Sequence, residues 1–436
     1  MAIRILLVNP PIFDFSAYDF WLKPYGMLTV AGFLRGQVEF ALFDYLDRLH
    51  PSLTSSHKIQ SDNCGRGHFP RGKQPKPEPF KAIPRYFYRY GRAQAEFQDF
   101  LRRHSFFEMV WIQTTLTYWY PGIREVIQDV RGTLGDIPIV LGGPYATLCP
   151  EHARGLGADM IIEGMNCQPL WDHLGLCYDE DQPALWEVYD RLEVGIQKIT
   201  QGCPFACTYC SVHQVYGGFQ PRSLNRAKAE YDLLVERGAK HVAFYDDALL
   251  FHHHKALEPL LHHARQKGVP LHLHSPNALN ARFLTPELAQ TMVDSGFETF
   301  YLGFESAASD WQQATGSKVT SPELAQAVSA LVQAGAKRRN ITAYQMLGHP
   351  QSDTQALEES MHYVANLGIR GMLADFSPIP GTPDGEICRQ WVDLDEPLYH
   401  NKIAFPILTM GFKESNRFKD LQRQLNQRVS SADKSN

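Results

Sequence analysis

Three of the eight cysteines in this 436-residue chain fall within one short stretch, Cys203-Pro-Phe-Ala-Cys207-Thr-Tyr-Cys210. The other five (Cys64, Cys149, Cys167, Cys177 and Cys388) are scattered, so the set does not read as a disulfide framework. A Cys-x3-Cys-x2-Cys loop wraps three thiolates around one centre, and thiolates are soft ligands that select zinc or iron–sulfur. A structural zinc site takes four ligands, normally as two paired half-sites. No second cysteine pair exists here, and His213 is the nearby side chain that could complete such a set. Three cysteines alone suit a four-iron, four-sulfur cluster with one iron left open to a further ligand. Two other acidic sites end apolar runs, at Asp246-Asp247 and at Glu305-Ser306. A carboxylate at Glu305 can accept hydrogen bonds from two hydroxyls at once. One of Asp246 and Asp247 could hold a ligand while the other caps the following helix.

Such groups need elements to position them. Residues 3–8 form an apolar run that stops at Asn9-Pro10-Pro11, which predicts a buried parallel strand followed by a loop. Runs at 38–43, 109–114, 137–141 and 160–162 repeat the pattern, with helical periodicity between them. Strands alternating with helices predict an α/β, doubly wound Rossmann-like sheet over residues 1–175, whose ligand crevice lies beyond the carboxyl ends of its strands. Residues 57–103 interrupt it with eleven Lys/Arg against four Asp/Glu. They read as a long surface loop with a short helix, or as a lid or docking patch for an anionic substrate or partner. From about 190 to 385 a second alternation carries six strand–helix units, at 194–200, 241–245, 271–274, 299–303, 341–346 and 371–376. Six units make a partial (β/α)6 barrel with its site at the carboxyl ends of the strands. Residues 386–436 are a less regular C-terminal extension, with an amphipathic helix around 412–429 and a disordered end.

Composition narrows the function classes. Hydrophobic residues make up 44% and charged residues 20%, a globular profile. A formal charge of −5 gives no global pull toward nucleic acid. No apolar run is long enough to span a bilayer, and the first residues lack a cleavage-site pattern, so the expected setting is the cytoplasm.

With these motifs in place, the stretch from about 194 to 383 resembles the radical SAM superfamily. The cysteine spacing with an aromatic residue, Tyr209, before the last cysteine is the family's signature. Pro221-Arg222-Ser223, Phe244-Tyr-Asp-Asp247, Gly303-Phe-Glu-Ser306, Gly348-His-Pro350 and Ser377-Pro-Ile-Pro-Gly-Thr382 resemble, in order, its later motifs. The resemblance implies a [4Fe–4S] cluster on Cys203, Cys207 and Cys210 that cleaves S-adenosylmethionine (SAM) to a 5′-deoxyadenosyl radical. It implies Tyr209, Asp246, Glu305 and Ser306 as SAM-binding residues, and Asp247 and Glu305 as catalytic ones. An electron donor such as flavodoxin or ferredoxin and a small-molecule substrate follow from the same likeness. Residues 1–175 resemble the cobalamin-binding domain often fused to such barrels, through Asn9-Pro10-Pro11, Pro24-Tyr-Gly26, Gly142-Gly143-Pro144 and Gly157-Ala-Asp159. Asn9, Pro10, Gly142 and Gly143 are then the cobalamin-facing candidates. Two departures stand out: no Asp-x-His-x-x-Gly motif supplies a histidine to cobalt, and Glu163-Gly164-Met165-Asn166 replaces the family's acidic ending.

The combined reading is a cobalamin-dependent methyltransferase acting on an unactivated carbon or phosphorus. A cobalamin-assisted cyclisation or rearrangement, a methylthiotransferase and a non-enzymatic cobalamin or redox sensor are its rivals. Other suggestive residues have plainer readings. His252–His254 and His262-His263 are expected to be solvated. His272 and His274 share one face of a strand and are either satisfied core histidines or substrate contacts. Asn277 is a weak site candidate, Cys388 is expected to be packing, and the aromatic residues at 118–120 either flank a corrin or pack between domains.

Overall fold

The computed structural model describes residues 3–54, 61–104, 106–316 and 318–432. Residues 57–60 of the basic insertion and 433–436 of the tail lie outside them. The strands of the first part are β1 (Ile3–Asn9), β2 (Ile12–Asp14), β3 (Val38–Asp44), β4 (Arg71–Gln74), β5 (Phe87–Tyr90), β6 (Met109–Gln113), β7 (Ile139–Gly142) and β8 (Met160–Ile162). Five of them form a parallel sheet in the order β3-β1-β6-β7-β8. The order reverses between β1 and β6, where the loops after both strands part and leave a crevice. Alternate residues of β1 divide between two cores. Ile5 and Leu7 join the one shared with the barrel, and Leu6 and Val8 pack with Phe97, Tyr120 and Ile123 on the other face. That two-sided burial is why β1 reads as an unbroken apolar run.

The basic insertion is not the long loop expected from its composition. β4 and β5 pair antiparallel, and β2 joins them as β2-β5-β4. Three- and four-residue strands carry almost no periodic signal, so the sequence hid them. Many of the cations in and beside the insertion are committed inside the protein. Arg48 pairs with Asp19, Arg89 with Glu125 and Arg92 with Glu96, while Arg71 and Lys73 lie over the rings of Tyr88 and Tyr86. An anion-docking patch therefore loses much of its basis.

The second part carries β9 (Val194–Gln197), a short antiparallel pair β10 (Thr200–Gln201) and β11 (Gln220–Pro221), then β12 (His241–Phe244), β13 (His272–Asn280), β14 (Phe297–Glu305), β15 (Ile341–Leu347) and β16 (Arg370–Asp375). Six of these strands lie parallel in strict chain order, with β9 and β16 at the two edges. This is the open six-stranded barrel the spacing predicted.

The C-terminal extension closes what the barrel leaves open. The helix Phe412–Ala432 lies along β16, where Asn426 donates to the Gly371 carbonyl and accepts from its N–H, both at 2.9 Å. A side-chain amide thus satisfies part of an unpaired sheet edge. Further upstream, Asn401 Nδ2 donates to Asp14 Oδ1 (2.9 Å) and the buried His400 sits 2.8 Å from Thr117 Oγ1, so this segment also ties down loops of the first sheet.

The barrel interior is filled from the first part of the chain. Trp21 stacks on His274 with ring centroids 4.4 Å apart and donates its indole N–H to the Cys64 carbonyl. Tyr245 donates to the Phe20 carbonyl, and Arg66 reaches Tyr301. His274 shares hydrogen bonds with His241 and Thr299, and burial pushes its pKa down to about 2. It is a satisfied core histidine.

Candidate active site

The cysteine loop begins where β9 and β10 end. Gly202 starts it at φ +67°, and a Cβ there would collide with the carbonyls of Gly217 and Gly218. The loop is held down by Asp246, which leaves the end of β12. Its Oδ1 accepts from the Ile199 N–H (2.9 Å), the Thr200 N–H (2.5 Å) and the Thr200 hydroxyl (2.6 Å). Burial pushes this carboxyl up to about 6. Asp246 was expected among the cofactor contacts; the structure commits one of its oxygens to the backbone that leads into the cysteine loop. Its neighbour Asp247 lies 3.0 Å from Lys198 Nζ, and that ammonium sits 4.2 Å over the Tyr216 ring. Neither aspartate caps the next helix, whose start at Ala256 has no side-chain cap.

All three clustered cysteines are free thiols. His213, the side chain that could complete a zinc set, has its Nε2 2.8 Å from the Phe205 carbonyl. Among the described residues no three His, Cys, Asp or Glu side chains converge as a single metal ion requires. Burial pushes the thiols upward, Cys210 to about 11, and the Lys318 ammonium works against that shift at each of them. Gly316, at φ +120°, lets the chain pass beside Cys207, where a Cβ would lie 3.2 Å from its Cα.

Glu305 sits at the end of β14, at φ +59°, just past a register irregularity between Gly303 and Glu305. A non-glycine residue in this region is uncommon and clusters at functional sites. Its Oε1 lies 3.3 Å from Lys318 Nζ. Burial opposes charge on that lysine, but Glu305 and the thiols of Cys207 and Cys210 hold it up. Ser306 also shapes the turn: its hydroxyl accepts from the Ala308 N–H and its carbonyl from Gln312. Tyr209 stacks on Trp311, with centroids 6.2 Å apart. Asn277 donates to the backbone carbonyls of Tyr245 and Asp246. Cys388 is buried, as packing predicts.

Two lysines at this site, Lys198 and Lys318, escaped the sequence reading. Neither stands in a motif, and Lys318 meets Glu305 only because the chain returns after the helix Ser309–Ala314. His349 and Asp384, buried side by side beneath the loop, also come from different strand ends.

The first sheet turns the ends of β7 and β8 toward the same place. The helix Pro144–Leu148 packs on the helix Val212–Tyr216 that follows the cysteine loop, and Gly164 lies against Val215. Of the four candidates there, Asn9 is buried and donates to Asp44 Oδ1 at 2.7 Å, which ties β1 to β3. Gly143, at φ +116°, owes its missing side chain to the Thr114 carbonyl, into which a Cβ would run. Gly142 has only Ile162 near its missing Cβ, at 3.6 Å, and Pro10 lines a narrow cavity with Gln113 and Trp119 at the switch point.

Residues 198–364 match the model of the radical SAM superfamily. That stretch carries a radical SAM domain. The matched stretch runs from Lys198 through the cysteine loop to the helix before β16. Relatives include an uncharacterized methyltransferase of Pyrococcus horikoshii, 24% identical over 63% of this chain and 68% of its own. The hopanoid C-2 methylase of Rhodopseudomonas palustris is 26% identical, over 42% of this chain and 40% of its own. Among solved structures, the radical SAM methyltransferase TsrM from Kitasatospora setae has a TM-score of 0.64 at 15% identity, covering 89% of this chain and 76% of that one. The cobalamin-dependent SAM radical enzyme OxsB has a TM-score of 0.58 at 11% identity, covering 97% and 61%. The likeness extends beyond the barrel to the first sheet, so the two-part fold is shared. The superfamily implies a [4Fe–4S] cluster and SAM. Three free thiols on one loop, with the half-buried Lys318 ammonium acting on each of them, fit that pair.

Proposed function

We propose that Cys203, Cys207 and Cys210 hold a [4Fe–4S] cluster and that the chain uses SAM, with cobalamin, to methylate an unactivated carbon or phosphorus of a small molecule. When bound and reduced, the cluster supplies the electron that splits the SAM sulfur–C5′ bond, and cobalamin supplies methyl-transfer chemistry. The chain's own residues then position and shield. Glu305 offers a carboxylate to the ribose hydroxyls, held in place by Lys318. Asp246 anchors the approach to the loop, and the Lys198–Asp247 pair closes the neighbouring strand ends. The barrel floor is sealed by Trp21, Phe20 and Arg66, which keeps water out from below.

The observation that carries this reading is one loop with three free thiols, each acted on by the Lys318 ammonium, which itself pairs with Glu305 at the end of β14. Support for cobalamin comes from the fold shared with TsrM and OxsB, whose structures hold it. On this chain, Leu116 and Met165 are exposed by 38% and 46% on loops after β6 and β8, and a Cβ on Gly142 would meet only Ile162; apolar faces of this kind suit a flat ring. No histidine ligand to cobalt is expected. An electron carrier such as flavodoxin or ferredoxin would reach the thiols from the open groove at Cys203, lined by Phe219, Phe251, His252 and Lys255.

Anaerobic reconstitution with iron, sulfide, SAM and dithionite tests the first half. Four irons per chain and release of 5′-deoxyadenosine or S-adenosylhomocysteine are expected, and uptake of zinc alone would overturn it. Visible spectra after incubation with hydroxocobalamin test the second half: unbound corrin removes the methyl carrier. Cobalamin binding with a cyclised or rearranged product would favour the rival chemistry.

A further inference from the structure

We infer that His349 and Asp384 are positioning residues that clamp the middle of the cysteine loop and keep a fixed negative charge beside it. The inference rests on the proposal that this loop holds the cluster. Asp384 meets Thr208, the residue after Cys207, at two points. Its Oδ2 accepts from the Thr208 hydroxyl at 2.7 Å, and its backbone N–H donates to the Thr208 carbonyl at 3.2 Å. The same Oδ2 lies 2.7 Å from His349 Nε2.

The histidine's proton is assigned by its other face. His349 Nδ1 accepts from the Trp311 indole N–H (3.3 Å) and from the Gln351 N–H (3.2 Å), so Nε2 must carry the hydrogen and donate it to Asp384. One carboxylate oxygen therefore receives two donors, and these hold its pKa below the usual carboxylate range. His349 and Asp384 are 3% and 4% exposed. Trp311 also stacks on Tyr209, the next residue of the loop. The segments that follow β14, β15 and β16 thus contribute Trp311, His349 and Asp384 respectively, and all three bear on the two residues between Cys207 and Cys210. A buried carboxylate with no cation paired to it opposes the addition of an electron nearby, because low local polarity leaves its field unscreened.

The test uses the full chain. In the metal-free protein, Asp384→Asn and Thr208→Val are expected to speed alkylation of Cys207 and Cys210 by iodoacetamide at least threefold, with the exposed Cys177, outside the loop, unchanged. In the anaerobically reconstituted protein, Asp384→Asn is expected to move the cluster midpoint potential to a less negative value. Thr208→Val, which keeps the charge, is expected to move it less, and Asp384→Glu to restore it toward that of the unaltered protein. Circular dichroism and a thermal melt report whether each variant is folded; selective exposure of the loop thiols in a folded variant supports the clamp. Alkylation rates and potentials unaltered in Asp384→Asn would overturn the inference. Failure of the unaltered protein to take up iron would instead sink the cluster reading, and would show in that control alone.

Discussion

Lys318 Nζ lies 3.3 Å from Glu305 Oε1, with both side chains largely withdrawn from solvent, and the thiols of Cys207 and Cys210 also act on the lysine. The pair joins a strand-end carboxylate to the loop proposed to hold iron. Removing one partner of such a pair leaves an uncompensated charge, at a cost of about 3–5 kcal/mol when burial is complete and less here, where the lysine keeps a fifth of its exposure. Lys318→Met is expected to lower stability by about 2 kcal/mol in urea unfolding and to weaken SAM binding more than tenfold by equilibrium dialysis. The double variant Lys318→Met/Glu305→Gln is expected to recover stability without recovering SAM affinity. Recovery of both would deny Glu305 a role at the ligand.

Serine at Cys203, Cys207 or Cys210 is expected to abolish cluster assembly, read as iron per chain and loss of visible absorbance. Serine at Cys64, Cys149 or Cys177 is expected to leave both unchanged, since none of these belongs to the Cys203–Cys210 loop.

Gly143→Ala is expected to destabilise the first sheet by about 2 kcal/mol or more, from a left-handed backbone and a collision with the Thr114 carbonyl together. Gly142→Ala meets only ordinary contact with Ile162 and is expected to leave the melting temperature within two or so degrees. If Gly142 faces the corrin, the same substitution weakens hydroxocobalamin binding while stability holds. A variant that binds cobalamin normally would exclude that role.

Two buried histidines set a pH dependence. Burial lowers His274 to about 2 and His400 to about 4, against about 6.5 in the unfolded chain. Between pH 6.5 and these values the unfolded chain binds protons that the folded one refuses. Stability is therefore fully present above about pH 6.5 and falls as pH drops, by about 1.4 kcal/mol per unit per histidine at most. Asp246, raised to about 6, acts in the opposite sense between about pH 4 and 6. Comparing His274→Gln with the parent isolates one term. The difference in unfolding free energy between pH 7 and pH 5 is expected to be smaller in the variant, and an identical slope would show that His274 is protonated when folded.

Much of the architecture was legible before any coordinates. Parallel strands buried on both faces must be apolar along their length, so β1, β6, β7 and the barrel strands announce themselves as short runs separated by helical periods. The cysteine loop was equally plain, because ligands on one loop are close in sequence. Short strands such as β4 and β5 were not, since β5 is held by pairing with both β2 and β4 and neither is long enough to show a periodic apolar face. What the chain of residues by itself determined was the order of elements and the one local ligand set. Tertiary structure alone decided the rest. It committed Asp246 to backbone and Asn9 to Asp44, brought Lys318 to Glu305, set Asp384 under Thr208, and buried Trp21 in a barrel more than 170 residues downstream. These partners lie far apart along the chain, and nothing in a residue's neighbours encodes which distant strand end will meet it once the sheets have closed.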